Sequence, residues 1–115
     1  ESSNFREFER RLRERSVDVK RISEDFRRWI VEYYPDTSTQ SAFEAEVATV
    51  ASVYAGTVPP EGENANHQFL ECILFDDRKT RTGSYEIRAS WARERAAGTL
   101  TESAYLEKIH ATVER

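Results

Sequence analysis

The sequence predicts an all-α fold: a compact bundle of five or six helices forming a single domain over residues 1–115. Three observations carry this expectation. Apolar residues recur at steps of three and four from Phe5 to Tyr33, the spacing of one helix face. Helix-end signals recur at Ser41, Gly56, Gly98 and Thr101. The connections between apolar segments are short, as in bundles. The competing reading is α+β, with a β-hairpin across residues 69–91.

Residues 4–34 carry the longest pattern: Phe5, Phe8, Leu12, Val19, Ile22, Phe26, Trp29 and Tyr33. Asn4 with Glu7 forms a capping pair at its start, and Pro35 with Asp36 stops it. Arg15 occupies a slot where an apolar residue is due. Burying an unpaired guanidinium costs several kcal/mol. The chain therefore breaks there, pairs Arg15 with a carboxylate, or lets it snorkel out. A break is the simplest of the three, and Ser16-Val17-Asp18 supplies a cap for a second helix. One long helix and two helices of equal phase both remain open.

The next helix opens with the capping box Ser41-Ala42-Phe43-Glu44, carries Phe43, Val47, Val50 and Tyr54 on one face, and ends at Gly56. Val58-Pro59-Pro60 forces a loop. Residues 64–75 read as a shorter helix capped by Asn64 or Asn66, with Phe69, Leu70, Ile73 and Leu74 as its face. Asp76 to Gly83 is a polar loop, and Ile87 with Trp91 begins a further helix running through Ala96 and Ala97. The hairpin reading rests on the alternation of Tyr85, Ile87, Ala89 and Trp91. Gly98 ends that helix and Thr101 caps the last, which places Tyr105, Leu106, Ile109 and Val113 on one stripe.

Composition bounds the function. At 38% hydrophobic and 33% charged, the chain stays above the disordered class. Cys72 is the only cysteine, so an internal disulfide is excluded and a reducing, cytoplasmic setting is the default. No apolar run approaches the roughly 18 residues of a membrane span, so no membrane partner is expected. The opening Glu1 reads as the start of a processed or excised segment. Net charge is −4, but it is segregated. Residues 35–77 hold eight acids and no Arg or Lys, between a first third at +1 and a last third at +3. The blocks either neutralise one another in the fold or keep an acidic surface for a basic partner.

On one long helix, Arg6, Arg13, Lys20 and Arg27 would form a basic rail. The alternative is a solvated face with internal pairs at Glu7–Arg11, Glu9–Arg13 and Glu24–Arg28. Tyr34 and the loop cations Arg78, Lys79 and Arg81 complete the candidate partner-binding set. Glu107 and His110 have the Glu-x-x-His spacing of bundle metal sites, and Glu63, His67 and Glu71 recur at four-residue steps. One such unit is too few for a di-metal centre. Cys72 lies in an apolar run, where a thiol is a small inert hydrophobe. No glycine-rich phosphate loop or nucleophile elbow occurs, and no cofactor is implied. The expected function is non-enzymatic protein–protein interaction, in a regulatory or assembly role and including self-association, through charged helix surfaces. Nucleic-acid binding along the rail and a metal-dependent Glu/His enzyme are the alternatives.

Overall fold

Helical spacing fails at Arg15, and there the chain leaves the helix. Ser16 takes a left-handed φ of 64°, and the segment that follows forms a hairpin. The computed structural model describes residues 3–62 and 66–115. Its elements run α1 (Ser3–Glu14), β1 (Val19–Glu24), β2 (Arg28–Tyr33), α2 (Gln40–Thr57), β3 (Phe69–Phe75), β4 (Arg81–Arg88), α3 (Ala89–Ala97) and α4 (Glu102–His110). The all-α bundle is therefore corrected to α+β, a four-stranded mixed sheet with four helices. The shorter helix read over residues 64–75 is replaced by strand β3, and the competing hairpin across residues 69–91 is present as β3–β4, followed directly by α3.

Both misread segments carry apolar residues that satisfy two periods at once. Trp29 and Tyr33 are four apart, as on a helix, but Val31 between them is buried as well. The period is thus two, and β2 alternates buried with half-buried residues. The same alternation runs through β3, where Leu70, Cys72 and Leu74 point inward. The face read as Phe69, Leu70, Ile73 and Leu74 is split between the two sides of a strand. Asp25 turns the first hairpin: its Oδ1 accepts the N–H groups of Arg27 and Arg28, both at 3.0 Å. Asp76 does the same in the second hairpin, accepting from Arg78 and Thr80 at 2.9 Å, while Lys79 adopts φ of 64°. The polar loop is thus a closed turn.

The strand order is β1-β2-β3-β4. β2 and β3 are parallel and joined through α2; the outer pairs are antiparallel hairpins. The helices pack against one side of this sheet. Phe5 and Phe8 of α1 meet Trp29 at centroid distances of 5.6 and 5.2 Å, and Tyr54 of α2 meets it at 5.7 Å. Ala89 and Ala92 of α3 are buried, and Tyr105 of α4 donates to the Ala51 carbonyl of α2 at 2.8 Å. The far edge of β4 is closed by the C-terminal segment, because Ser84 and Glu114 exchange both backbone hydrogen bonds at 2.8 Å. Gly83 is required beside that bridge, since a Cβ there would strike the Glu114 carbonyl.

The helix ends were read with mixed success. Gly98 is left-handed at 82°, and Thr101 caps α4 by accepting the Ala104 N–H. For α2 the cap is Thr39 rather than Ser41, and the helix runs through Gly56 to Thr57. Glu7–Arg11 and Glu9–Arg13 are ion-paired on α1. Arg28 instead pairs with Asp25 and Glu71. Glu63 and Asn64 lie outside the described residues.

Candidate interaction surface

The helices leave the other side of the sheet uncovered: no described element packs on it. Register fixes its rows. Arg28, Phe69 and Arg88 lie side by side on β2, β3 and β4. The next row is Ser23, Ile30, Glu71 and Glu86, and the third is Arg21, Glu32, Ile73 and Ser84. Phe75 and Arg81 follow. Ile30, Phe69, Ile73 and Phe75 thus form an apolar stripe, each half-exposed. From Phe69 to Phe75 the stripe runs about 20 Å along β3, at roughly 3.3 Å per residue.

Its charges are tied down across rows. Arg28 bonds both Glu71 and Asp25. The hydrogen bond from the Arg28 side chain, with those from the backbone N–H groups of Arg27 and Arg28, holds the Asp25 carboxyl below its ordinary pKa, and the bond to Asp25 with the nearby charge of Glu71 raises that of Arg28. Lys20 reaches Glu32 at 3.2 Å and sits 4.6 Å over the Phe75 ring. Arg88 approaches Glu86 at 3.7 Å.

The two ends of the stripe differ. At the β1–β2 turn, Phe26 is 70% exposed, and with Arg27, Gln68 and Phe69 it lines a shallow groove of about 500 Å³. At the opposite end, beyond the carboxyl termini of the parallel strands, lies a cleft of about 800 Å³. Tyr34, Phe75, Asp18, Asp77, Lys79 and Arg115 are among its walls, a mixed-sign lining around two aromatic rings.

The basic rail does not exist as a helix face. Arg6 and Arg13 are on α1, Lys20 is on β1, and Arg27 is in the first turn. Arg13 is spent on Glu9 at 3.0 Å. The structure does gather Tyr34 and Lys79 in the cleft, with Lys20 and Arg81 beside Phe75 next to it. Arg78 is exposed in the second turn. The stripe itself went unpredicted, although a signal was present. Phe69-Leu70-Glu71-Cys72-Ile73-Leu74-Phe75 is apolar on both parities but for Glu71, close to the pattern of a strand covered on both faces.

Glu107 is exposed and His110 half-buried on α4. Among the described residues, no three His, Cys, Asp or Glu side chains converge as a metal set. His67 is spoken for: it is buried against Trp29 and bonded to Tyr54. Burial also pushes the Cys72 thiol well above its ordinary pKa. Among the described residues, no helix is long and apolar enough to cross a membrane.

These features define an α+β domain with a one-sided helical layer and an open mixed sheet. Over residues 1–115 the chain matches the protein-family model described as a domain of unknown function (DUF8159), and it belongs to that family. Neither a curated protein nor a solved structure matches it.

Proposed function

We propose that this domain is a non-enzymatic protein-interaction module, with the open face of its sheet as the working surface. One observation carries the reading: β3 presents Phe69, Ile73 and Phe75, with Glu71 among them, on the side that no described helix covers. Half-exposed Phe and Ile side chains in a continuous stripe are costly to leave in water, at roughly 25 cal/mol per Å² of apolar surface. Contiguous patches of this kind mark interaction sites. The charged helix surfaces expected from the sequence give way to this face, because α1 uses Glu7, Glu9 and Glu14 to pair its own arginines. A cytoplasmic setting, with Cys72 reduced, accompanies the reading.

A photo-crosslinking residue at Ile73, compared with one at the exposed Ser52 of α2, tests it in the living cell. Protein adducts are expected from position 73 and not from 52. The adducted protein, once purified, is expected to bind wild type and not Ile73→Arg. Absence of position-specific protein adducts overturns the reading.

A second reading, single-stranded nucleic acid, is favoured by the Arg28-Phe69-Arg88 row beside Phe26, since such proteins join cations to stacking rings. Glu71 and Glu86 in the adjoining row oppose it by repelling phosphate. An unchanged anisotropy of a labelled single-stranded oligonucleotide at low salt removes it.

A further inference from the structure

We propose that the cleft beyond the carboxyl ends of β2 and β3 binds a short peptide with both termini free, its ammonium group at one end and its carboxylate at the other. The site lies at the end of the sheet, sharing Phe75 with the open face, and stands whether or not that face has a partner. Strand order sets its layout. Asp18 precedes β1 and is held beside β2, because its carbonyl accepts the Tyr34 N–H at 3.0 Å. Tyr34 follows β2, and Phe75 ends β3. Beyond β4 comes the C-terminal segment, which places Arg115 against Gly83. The cleft wall therefore runs from a carboxylate, across two aromatic rings, to a guanidinium.

Both end charges are available. Among the described residues, Asp18 makes no ion pair, and neither does Arg115. Arg115 is nevertheless held in place. Its guanidinium lies 3.8 Å over the Phe43 ring and 3.5 Å from the Gln40 Oε1 atom at the start of α2. Neither contact neutralises the charge, and the guanidinium fork matches a carboxylate. Asp77 and Lys79, both in the second turn, offset each other. A simple anion meets repulsion at the Asp18 end, and a simple cation meets it at Arg115. A molecule carrying both charges at the right separation meets neither.

Length selects the peptide. From β1 to the C-terminal segment the backbone crosses four strand spacings, about 19 Å. Arg115 reaches back toward α2, which leaves a gap on the order of 10 Å between the charges, the span of an extended tripeptide at roughly 3.4 Å per residue. Tyr34 and Phe75 then receive an apolar middle side chain. A cleft of about 800 Å³ has room for a ligand of this size.

Amide NMR titration of the purified chain with alanyl-phenylalanyl-alanine tests the proposal. Shifts at Tyr34, Asp76 and Lys79 are expected to saturate, with a dissociation constant between about 10 μM and about 1 mM. Acetylating the amino terminus or amidating the carboxyl terminus weakens binding by about three- to fivefold, as loss of one partly exposed ion pair should. Asp18→Asn weakens the free peptide to the same extent and leaves the acetylated one unaffected. Arg115→Gln has the corresponding effect with the amidated one, and the melting temperature confirms that each variant is folded. Shifts that remain linear to about 10 mM overturn the site. So do blocked peptides that bind as tightly as the free one, and variants that weaken blocked and free peptides alike.

Discussion

The Tyr54 hydroxyl lies 2.6 Å from Nε2 of His67, joining the core-facing side of α2 to the segment that leads into β3. His67 is 3% exposed and packs 4.7 Å from the Trp29 ring centroid. Burial, with a smaller contribution from the Arg93 charge, lowers its pKa to about 4. The Tyr54 phenol moves the opposite way, raised by burial. The pair is therefore neutral at neutral pH and shares one proton across the contact.

This relationship sets a pH dependence. The folded pKa of His67 is depressed below its ordinary value, so the unfolded chain binds the proton more readily. Stability contributed by neutral His67 is whole above about pH 6.5 and drains away as pH falls toward about 4. A shift of this size corresponds to about 3 kcal/mol. Urea denaturation of wild type and His67→Phe at pH 7.5 and 5 checks it: wild type is expected to lose stability between the two by more than the variant does. Equal losses would assign the acid sensitivity to carboxylates.

Gly83→Ala tests the closure of the β4 edge. The added Cβ meets the Glu114 carbonyl, which belongs to the backbone and cannot swing aside as a side chain would. The Ser84–Glu114 bridge is expected to open, with a cost of about 1–3 kcal/mol from strain and lost hydrogen bonds. Hydrogen exchange at the Ser84 and Glu114 amides is the measurement. Protection unchanged from wild type would show that the tail shifts without releasing the strand.

How far the sequence could be read follows from these particulars. Helices α2 and α4 were legible because a hydroxyl cap and an apolar stripe coincide there, although the cap of α2 is Thr39 rather than Ser41. The first hairpin was not legible, and the second stood only as the competing reading, because Trp29 and Tyr33, like Phe69 and Ile73, sit at spacings that belong to both periods. The deciding residues were Val31 and Cys72, which no helix stripe contained and which are fully buried. The turns were hidden for a different reason. Asp25 and Asp76 read as ordinary charges, yet each ties down two backbone N–H groups. Of the candidate partner-binding residues, Lys20 lies on β1 and Arg27 in the first turn rather than on one long helix, Tyr34 follows β2, and Arg81 opens β4 rather than lying in a loop. Phe26, assigned to a core stripe, is the most exposed of the large apolar side chains described.

Phe26 separates fold from function. It sits at the tip of a hairpin turned by Asp25 and contributes nothing to the core behind Trp29. Phe26→Ser is expected to change stability by no more than about 0.5 kcal/mol, the range of surface substitutions free of packing. Thermal melting checks this, and a fall of several degrees would place the ring in the fold after all. Trp29→Ala is the contrast: a fully buried indole costs about 3–5 kcal/mol to truncate.

Tyr33 and Tyr85 carry the last prediction. Their hydroxyls are 2.8 Å apart inside the core. Tyr33→Phe strands the Tyr85 hydroxyl, and Tyr85→Phe the Tyr33 hydroxyl, where water does not reach, and each is expected to cost about 1–3 kcal/mol. The double variant removes donor and acceptor together, so its cost falls short of the sum of the two singles by at least about 0.5 kcal/mol. Urea unfolding of the four proteins closes the cycle. Strict additivity would mean that the two hydroxyls act independently and that their contact carries none of the stability.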